Sequence, residues 1–409
     1  MNFFLKKEII FILFFCSIFV SFFYGENSSG GAYKDFVVQK EFIMAFDGQY
    51  LDGFKWFLSM GQMHLPFFYF FKSILDNFLN PLVISLINIL VSSFIPLIFY
   101  KILKKKYQFT NRNYLFLLSL IIFLSPYFRS SAVWGTNDNL ATFFFTISIY
   151  FFFNFQIKKQ KKLLLSILCF FFLILASYIR QNYIFFSIYF FYFFLRNLSF
   201  LNFIYLNIFN FLISLPLLIY VYYFFLESNS EVSIVSGNLN FDIFFSILVF
   251  SSIYFFYFIP IIYSFFLKNS VSSFIKEKKK ILFFLVIFFS ILIAFYSIPS
   301  INFGGGVFYK LSNLIHINLF YLFSFLGLFF LLSFNKINFE NISIFFIVIL
   351  SFPLIYVYQK YFDPLIYIVF LFLINSKTID LLISKKDISI ISIYIFLGSF
   401  LAFSFLYNL

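Results

Sequence analysis

The chain has 409 residues, 63% of them hydrophobic and only 11% charged, against roughly a quarter charged in a soluble domain, which excludes a water-soluble globule. A net charge of +13 would point to nucleic acid in a soluble protein. Here the lysines cluster between apolar blocks, so membrane lipid and not nucleic acid is the expected partner. Leu, Ile and Phe arrive in runs of roughly 15–25 residues, close to the ~20 that cross a bilayer as a helix. The runs neither alternate like barrel strands nor leave a polar face, so the fold class is all-α integral membrane. The 80 Phe read as codon bias acting where any apolar residue suffices, rather than as a dedicated aromatic lining.

In chain order the apolar runs predict spans at 9–24, 81–103, 113–127, 138–156, 163–180, 183–196, 201–226, 243–267, 281–299, 317–334, 341–358, 364–376 and 388–407. That makes about 13 transmembrane helices in one domain covering 1–409. Lys6-Lys7 followed by an apolar stretch resembles a signal peptide, but no small-x-small cleavage site follows, so a retained first helix is expected. With the N-terminus cytoplasmic, 21 of the 29 Lys and Arg fall inside and 8 outside, whereas the acids divide 5 inside and 11 outside. This is the positive-inside pattern. Cys16 and Cys169 lie far apart in apolar runs and form no metal motif. The short cytoplasmic connections hold no P-loop or soluble domain, which argues against an ATP-driven pump.

The polar residues concentrate on the outer side. The outer loop at 25–80 is the longest, and its aromatic content (Phe42, Phe46, Trp56, Phe57, Phe67 to Phe71) predicts amphipathic helices in the membrane interface. Within it, Phe46-Asp47-Gly48-Gln49-Tyr50-Leu51-Asp52 offers Asp47 as a general base for a sugar hydroxyl, the alternative being a helix cap. His64-Leu65-Pro66 follows, with His64 a weaker candidate. Arg129 and Asp138 lie on a short outer loop, as a phosphate and a sugar would require. Asp138 also reads as the N-cap of the fourth helix. Arg180-Gln181-Asn182 interrupts an apolar stretch, and the planar Arg fork suits a phosphate. Gly304-Gly305-Gly306 leads to Tyr309 and Lys310, a further phosphate candidate, with His316 more at home in interfacial packing. Lys360 and Tyr361 precede Asp363-Pro364, which reads as an N-cap followed by an N1 proline.

This layout resembles the GT-C superfamily of glycosyltransferases that use polyprenyl-phosphate sugars. Phe46-Asp47-Gly48-Gln49-Tyr50 is similar to the family's early acidic motif, with Gly48 where a second acid is common. His64-Leu65-Pro66 resembles the proline-containing stretch that follows, and Thr136-Asn137-Asp138-Asn139-Leu140 the Asp-containing start of the fourth helix. Arg180-Gln181-Asn182 looks like the Arg-Gln-Thr-Asn element of the dolichyl-phosphate-glucose α-1,2-glucosyltransferases without its Thr. Lys360-Tyr361-Phe362-Asp363-Pro364 looks like their late Arg-Tyr-Phe-x-x-Pro element. The resemblance implies a GT-C-like helical bundle that moves a hexose from a polyprenyl- or dolichyl-phosphate carrier to a lipid-linked glycan at the outer face. It implies Asp47 as base, with Asp52, His64, Arg129, Asp138, Arg180, Gln181, Asn182, Lys310, Lys360 and Tyr361 around the substrates. It implies an inverting displacement without cofactor or metal. Because few residues lie beyond a bare transferase core, a bacterial inner membrane is expected rather than the endoplasmic reticulum. A transporter or flippase of lipid-linked saccharides is one alternative; broken helices and charges paired at mid-membrane would favour it. A polymerase, with its long loop later in the chain, is another.

Overall fold

The computed structural model describes residues 7–59, 65–158, 160–227, 242–301, 304–352 and 357–408. Regular structure among them is helical, as hydrocarbon demands of a chain without barrel alternation. The chain divides into two compact units, one of 1–105, 116–237 and 399–409, the other of 106–115 and 238–398.

The first unit begins with α1 (Lys7–Phe23). The loop at 25–80 then folds into α2 (Ala32–Met44), α3 (Tyr50–Ser59) and α4 (Phe67–Phe78). These helices are held by their own rings: Phe42 meets Tyr69 at 5.1 Å, Phe46 meets Phe57 at 5.4 Å, and Phe57 stacks on Tyr69 at 5.5 Å between centroids. Next come α5 (Pro81–Lys106), α6 (Arg112–Leu120) extended by a 3-10 turn to Leu124, and α7 (Pro126–Trp134). Pro126 has no N–H to continue the preceding helix, and Ser125 Oγ instead accepts from Phe128 N at 2.9 Å, capping α7. The stretch expected to cross at 113–127 is therefore bent by 66°. Two long helices follow as an antiparallel hairpin, α8 (Asn137–Ile157) and α9 (Lys162–Ile179). The chain then turns through 181–185 into α10 (Phe186–Asn197) and enters α11 (Phe200–Glu227).

The second unit is built on α12 (Ile243–Phe266), with α13 (Val271–Glu277), α14 (Lys279–Phe295), α15 (Gly306–Ile315), α16 (Leu319–Phe334) and α17 (Phe339–Leu350). After the turn at Gln359–Tyr361 come the short α18 (Leu365–Ile368), a π turn to Leu373, and α19 (Lys377–Ser384). The last helix, α20 (Ile390–Tyr407), contributes to both units. Central to this unit is the close approach of α12 and α16. Ser324 Oγ donates to Leu248 O at 2.9 Å, and a Cβ on Gly327 would collide with the Ser251 carbonyl oxygen. Small residues let two backbones approach in this way where lipid offers no hydrophobic drive.

Among the described residues six helices are long and apolar enough to cross a membrane (α5, α8, α9, the 200–223 part of α11, α12 and α20), or eight if each of two bent pairs counts as one span. This is an integral membrane protein of helical class. The other expected spans hold shorter helices among the described residues: α1 and α14 have 17 residues, α16 has 16, and α10 and α17 have 12 each. The 364–376 stretch breaks at the π turn, and the pair from Gln359 to Ser384 is bent by 91°. Composition measures apolar length; it does not register where a helix breaks.

The α12–α16 contact makes a direct prediction. Gly327→Leu should lower stability by about 1–3 kcal/mol and reduce the thermal midpoint of the purified protein in detergent. Gly398→Leu, at a position whose added Cβ meets nothing within 4 Å, should leave the midpoint unchanged.

Candidate functional site

The site is assembled in the first unit, where α2 and α4 pack against the helices they precede. Asp47 sits in the turn between α2 and α3, next to Gly48 at φ 71°, a left-handed conformation that glycine adopts without strain. Phe46, wholly buried, anchors that turn, and α3 crosses it so closely that a Cβ on Gly53 would strike the Phe46 ring. Asp47 is exposed, and its carboxylate has no hydrogen bond or ion pair among the described residues. It does not cap α3, which starts at Tyr50. Asp52, in the first turn of α3, is exposed and pairs with Lys55 at 3.5 Å. His64 lies outside the described residues.

The charge whose interaction with Asp47 is resolved is that of Asp76 on α4. Burial pushes the Asp76 carboxyl up; Lys72 and Lys40 draw it down and Asp47 adds to the upward push, leaving it above its ordinary value. Burial also holds Lys72 below the usual ammonium range. Its Nζ donates to Gly135 O at 3.2 Å and faces the Phe36 and Phe68 rings at 5.8 and 5.7 Å. Lys72 thereby ties α4 to the loop that leads into α8.

The best-developed cluster surrounds Arg180, at the C-terminal end of α9. Its guanidinium forms an ion pair with Asp138, and the two side chains retain 15% and 24% of their exposure. Arg180 Nε also donates to Asn137 Oδ1 at 3.3 Å, and the same oxygen accepts from Gln39 Nε2 of α2 at 3.4 Å. Tyr69 of α4 belongs to this neighbourhood: burial raises its phenol pKa, Arg180 opposes the rise, and Asp138 and Asp35 add to it, so the hydroxyl stays protonated. Thr142 Oγ1, one turn further along α8, lies 3.0 Å from Tyr183 Oη. Asp138 had been expected as the N-cap of α8, but Thr136 holds that position and Asp138 falls in the first turn. There its charge faces the positive end of the helix dipole as well as Arg180. Gln181 and Asn182 are half-buried in the adjoining turn.

Arg129 has a different setting. It is 7% exposed and its guanidinium is committed to Glu26, 5% exposed, at 2.8–3.1 Å. It also donates to Ser17 Oγ at 2.9 Å and Ser21 Oγ at 2.6 Å. Such a saturated pair fastens α7 to the end of α1 rather than presenting a charge to a ligand.

Lys310, Lys360 and Tyr361 belong to the second unit. Lys310 is exposed on α15. Lys360 Nζ lies 5.3 Å from the Tyr358 ring centre and 5.9 Å from that of Tyr361, which stacks on Phe352 at 4.8 Å. Asp363 does not cap a helix. It is buried and accepts from Tyr257 Oη at 2.7 Å, while Gln359 Nε2 donates to the same hydroxyl at 3.0 Å. Gln359 Oε1 accepts from Val307 N at 2.9 Å, at the start of α15. Gly304, Gly305 and Gly306 all have positive φ there.

Glu26, Gln39, Tyr69 and Asn137 were not among the sequence candidates. Glu26 was discoverable, because an acid directly after a span needs a cation to be buried. Gln39 and Tyr69 carry no local signal.

The Glu26–Arg129 pair yields a prediction with a definite pH sign. Burial pushes the Glu26 carboxyl up, but the hydrogen bond and charge of Arg129 outweigh burial, so its pKa falls below the ordinary 4.5. Its contribution to stability is therefore complete above pH 4.5 and fades as pH falls through the depressed value. Glu26→Gln strands a buried guanidinium and should cost about 3–5 kcal/mol near pH 7. Thermal midpoints of wild type and mutant in detergent should converge as the pH is taken below that value.

No family model matches this chain, and no curated protein or solved structure is similar to it.

Proposed function

We propose that the protein is a membrane glycosyltransferase of GT-C type, transferring a hexose from a polyprenyl- or dolichyl-phosphate sugar to a lipid-linked glycan acceptor at the outer face. In this reading its short and bent helices complete about thirteen membrane segments, the N-terminus is cytoplasmic, and the membrane is a bacterial inner membrane. The observation that carries the reading is the partly open Arg180–Asp138 pair at the end of a span, in the same unit as the exposed carboxylate of Asp47, which has no partner among the described residues.

The chemistry asked of these residues is limited. The acceptor hydroxyl oxygen attacks the anomeric carbon of the donor as the bond from that carbon to the phosphate oxygen breaks. The hydroxyl proton passes to Asp47, and the carrier departs as a phosphate monoester. Arg180 exchanges part of its contact with Asp138 for the phosphate, whose charge grows as the bond breaks. Because the leaving group is already a phosphate, the reaction requires neither a nucleotide nor a metal. A single displacement inverts the anomeric configuration.

Transport of a lipid-linked saccharide has one observation in its favour, the two bent helix pairs at 112–134 and 359–384. A turnover assay in lipid separates the two readings. Purified protein is offered radiolabelled polyprenyl-phosphate glucose and other hexoses with extracted lipid-linked acceptors. Wild type should transfer label. Asp47→Asn should lose about 10²–10⁴-fold in rate while still binding donor, and Arg180→Lys should be impaired because a point charge does not reproduce the planar fork. Near-normal transfer by Asp47→Asn would remove it as base. Absence of transfer from any donor by folded wild type would favour transport.

A further inference from the structure

Gln39 presents a buried acceptor that none of the described residues uses. The residue is 6% exposed, its Nε2 donates to Asn137 Oδ1 at 3.4 Å, and its Oε1 has no partner among the described residues. The orientation of this amide follows from chemistry. Arg180 Nε is a donor only, so the Asn137 atom it meets at 3.3 Å is the oxygen. Gln39 must then turn its NH₂ toward that same oxygen, which leaves its own carbonyl oxygen pointing elsewhere. A buried acceptor without a donor costs about 1–3 kcal/mol, and native proteins keep few of them. Leu or Met at position 39 would avoid that cost, so retaining the amide here calls for an explanation. The orphan oxygen stands one amide away from the guanidinium proposed to take the donor phosphate, and on the helix that leads into Asp47.

We propose that Gln39 Oε1 accepts a hydrogen bond from a sugar hydroxyl of the polyprenyl-phosphate-linked donor, which makes Gln39 a specificity-determining residue. This rests on the glycosyltransferase reading of the same site. The phosphate draws Arg180 from Asp138, the cluster opens, and the hexose joined to that phosphate brings its hydroxyls to the only unfilled acceptor in the Gln39–Asn137–Arg180 chain of described contacts. Gln39 does not touch the reacting bond; it distinguishes a glycosylated carrier from a bare one.

The test is equilibrium binding to purified protein in nanodiscs, with farnesyl phosphate as the bare probe and farnesyl phosphoglucose and farnesyl phosphomannose as the glycosylated probes. Wild type should prefer at least one glycosylated probe. Gln39→Leu should weaken binding of that probe about tenfold, the equivalent of one ordinary hydrogen bond, and change farnesyl phosphate binding less than twofold. Gln39→Met, closer in shape, is the second variant and should behave the same way. Equal losses for bare and glycosylated probes, or no loss, would overturn the proposal, as would a wild type without preference. Arg180→Ala tests the underlying reading separately. If it binds farnesyl phosphate as wild type does, the phosphate assignment falls, whatever Gln39 does. No binding of any probe by wild type overturns both.

Discussion

A peptide group in hydrocarbon must find its hydrogen-bond partner within the protein, and this requirement shapes the rest of the molecule. Long apolar runs answer it by forming helices such as α8 and α12. At the breaks around α17 to α19, side chains take over exposed carbonyls. Lys106 Nζ donates to Leu371 O at 2.9 Å and reaches Ile374 O at 3.5 Å, filling the end of the π turn after α18. Asn341 Nδ2 serves Lys336 O and Asn375 O at 2.8 and 2.9 Å, closing the turns around α17 and α19.

Charges follow the same logic with higher stakes. Three buried or half-buried cations are matched with an anion: Arg129 has Glu26, Arg180 has Asp138, and Lys106 has Asp380 at 3.2 Å. The pairs differ in how complete they are. Arg129 is enclosed with Glu26 and two serines, which makes it a fastening between α1 and α7. Arg180 shares Asn137 Oδ1 with the Gln39 amide and keeps part of its surface open, which leaves it able to exchange a partner. Removing a partner from an enclosed pair strands a charge, whereas an open pair lets a ligand replace one ion with another. Two arginines that look alike in the sequence thus acquire different capacities from their surroundings.

The loop between α1 and α5 shows how aromatic abundance is used. A short helix has too little backbone cooperativity to stand alone, so α2, α3 and α4 depend on the rings of Phe42, Phe46, Phe57 and Tyr69 packing together. That cluster holds the Asp47 turn on one side and carries Gln39 and Tyr69 toward Asn137 and Arg180 on the other. Several of the Phe that composition alone attributes to codon bias are thereby given a structural task.

The sequence by itself determined the membrane class, the order of the apolar segments, the helical character of the first loop and the small set of polar interruptions from which any site must be drawn. These follow from hydropathy and residue type, which are local properties. Only the tertiary structure decided that the 364–376 stretch breaks at a π turn, because the groups freed at 369–373 are met by Lys106 from a distant part of the chain, whereas the bend at Ser125-Pro126 is set locally by the proline and its serine cap. It also decided which charge meets which: Glu26 and Arg129 are 103 positions apart, and Asp138 turned from an expected cap into the partner of Arg180. Nothing in the neighbourhood of Gln39 announces its amide as part of the site. Its role arises because a helix packed by distant aromatic rings sets it against Asn137, and hydrogen bonding acts over distances that only the folded chain brings about.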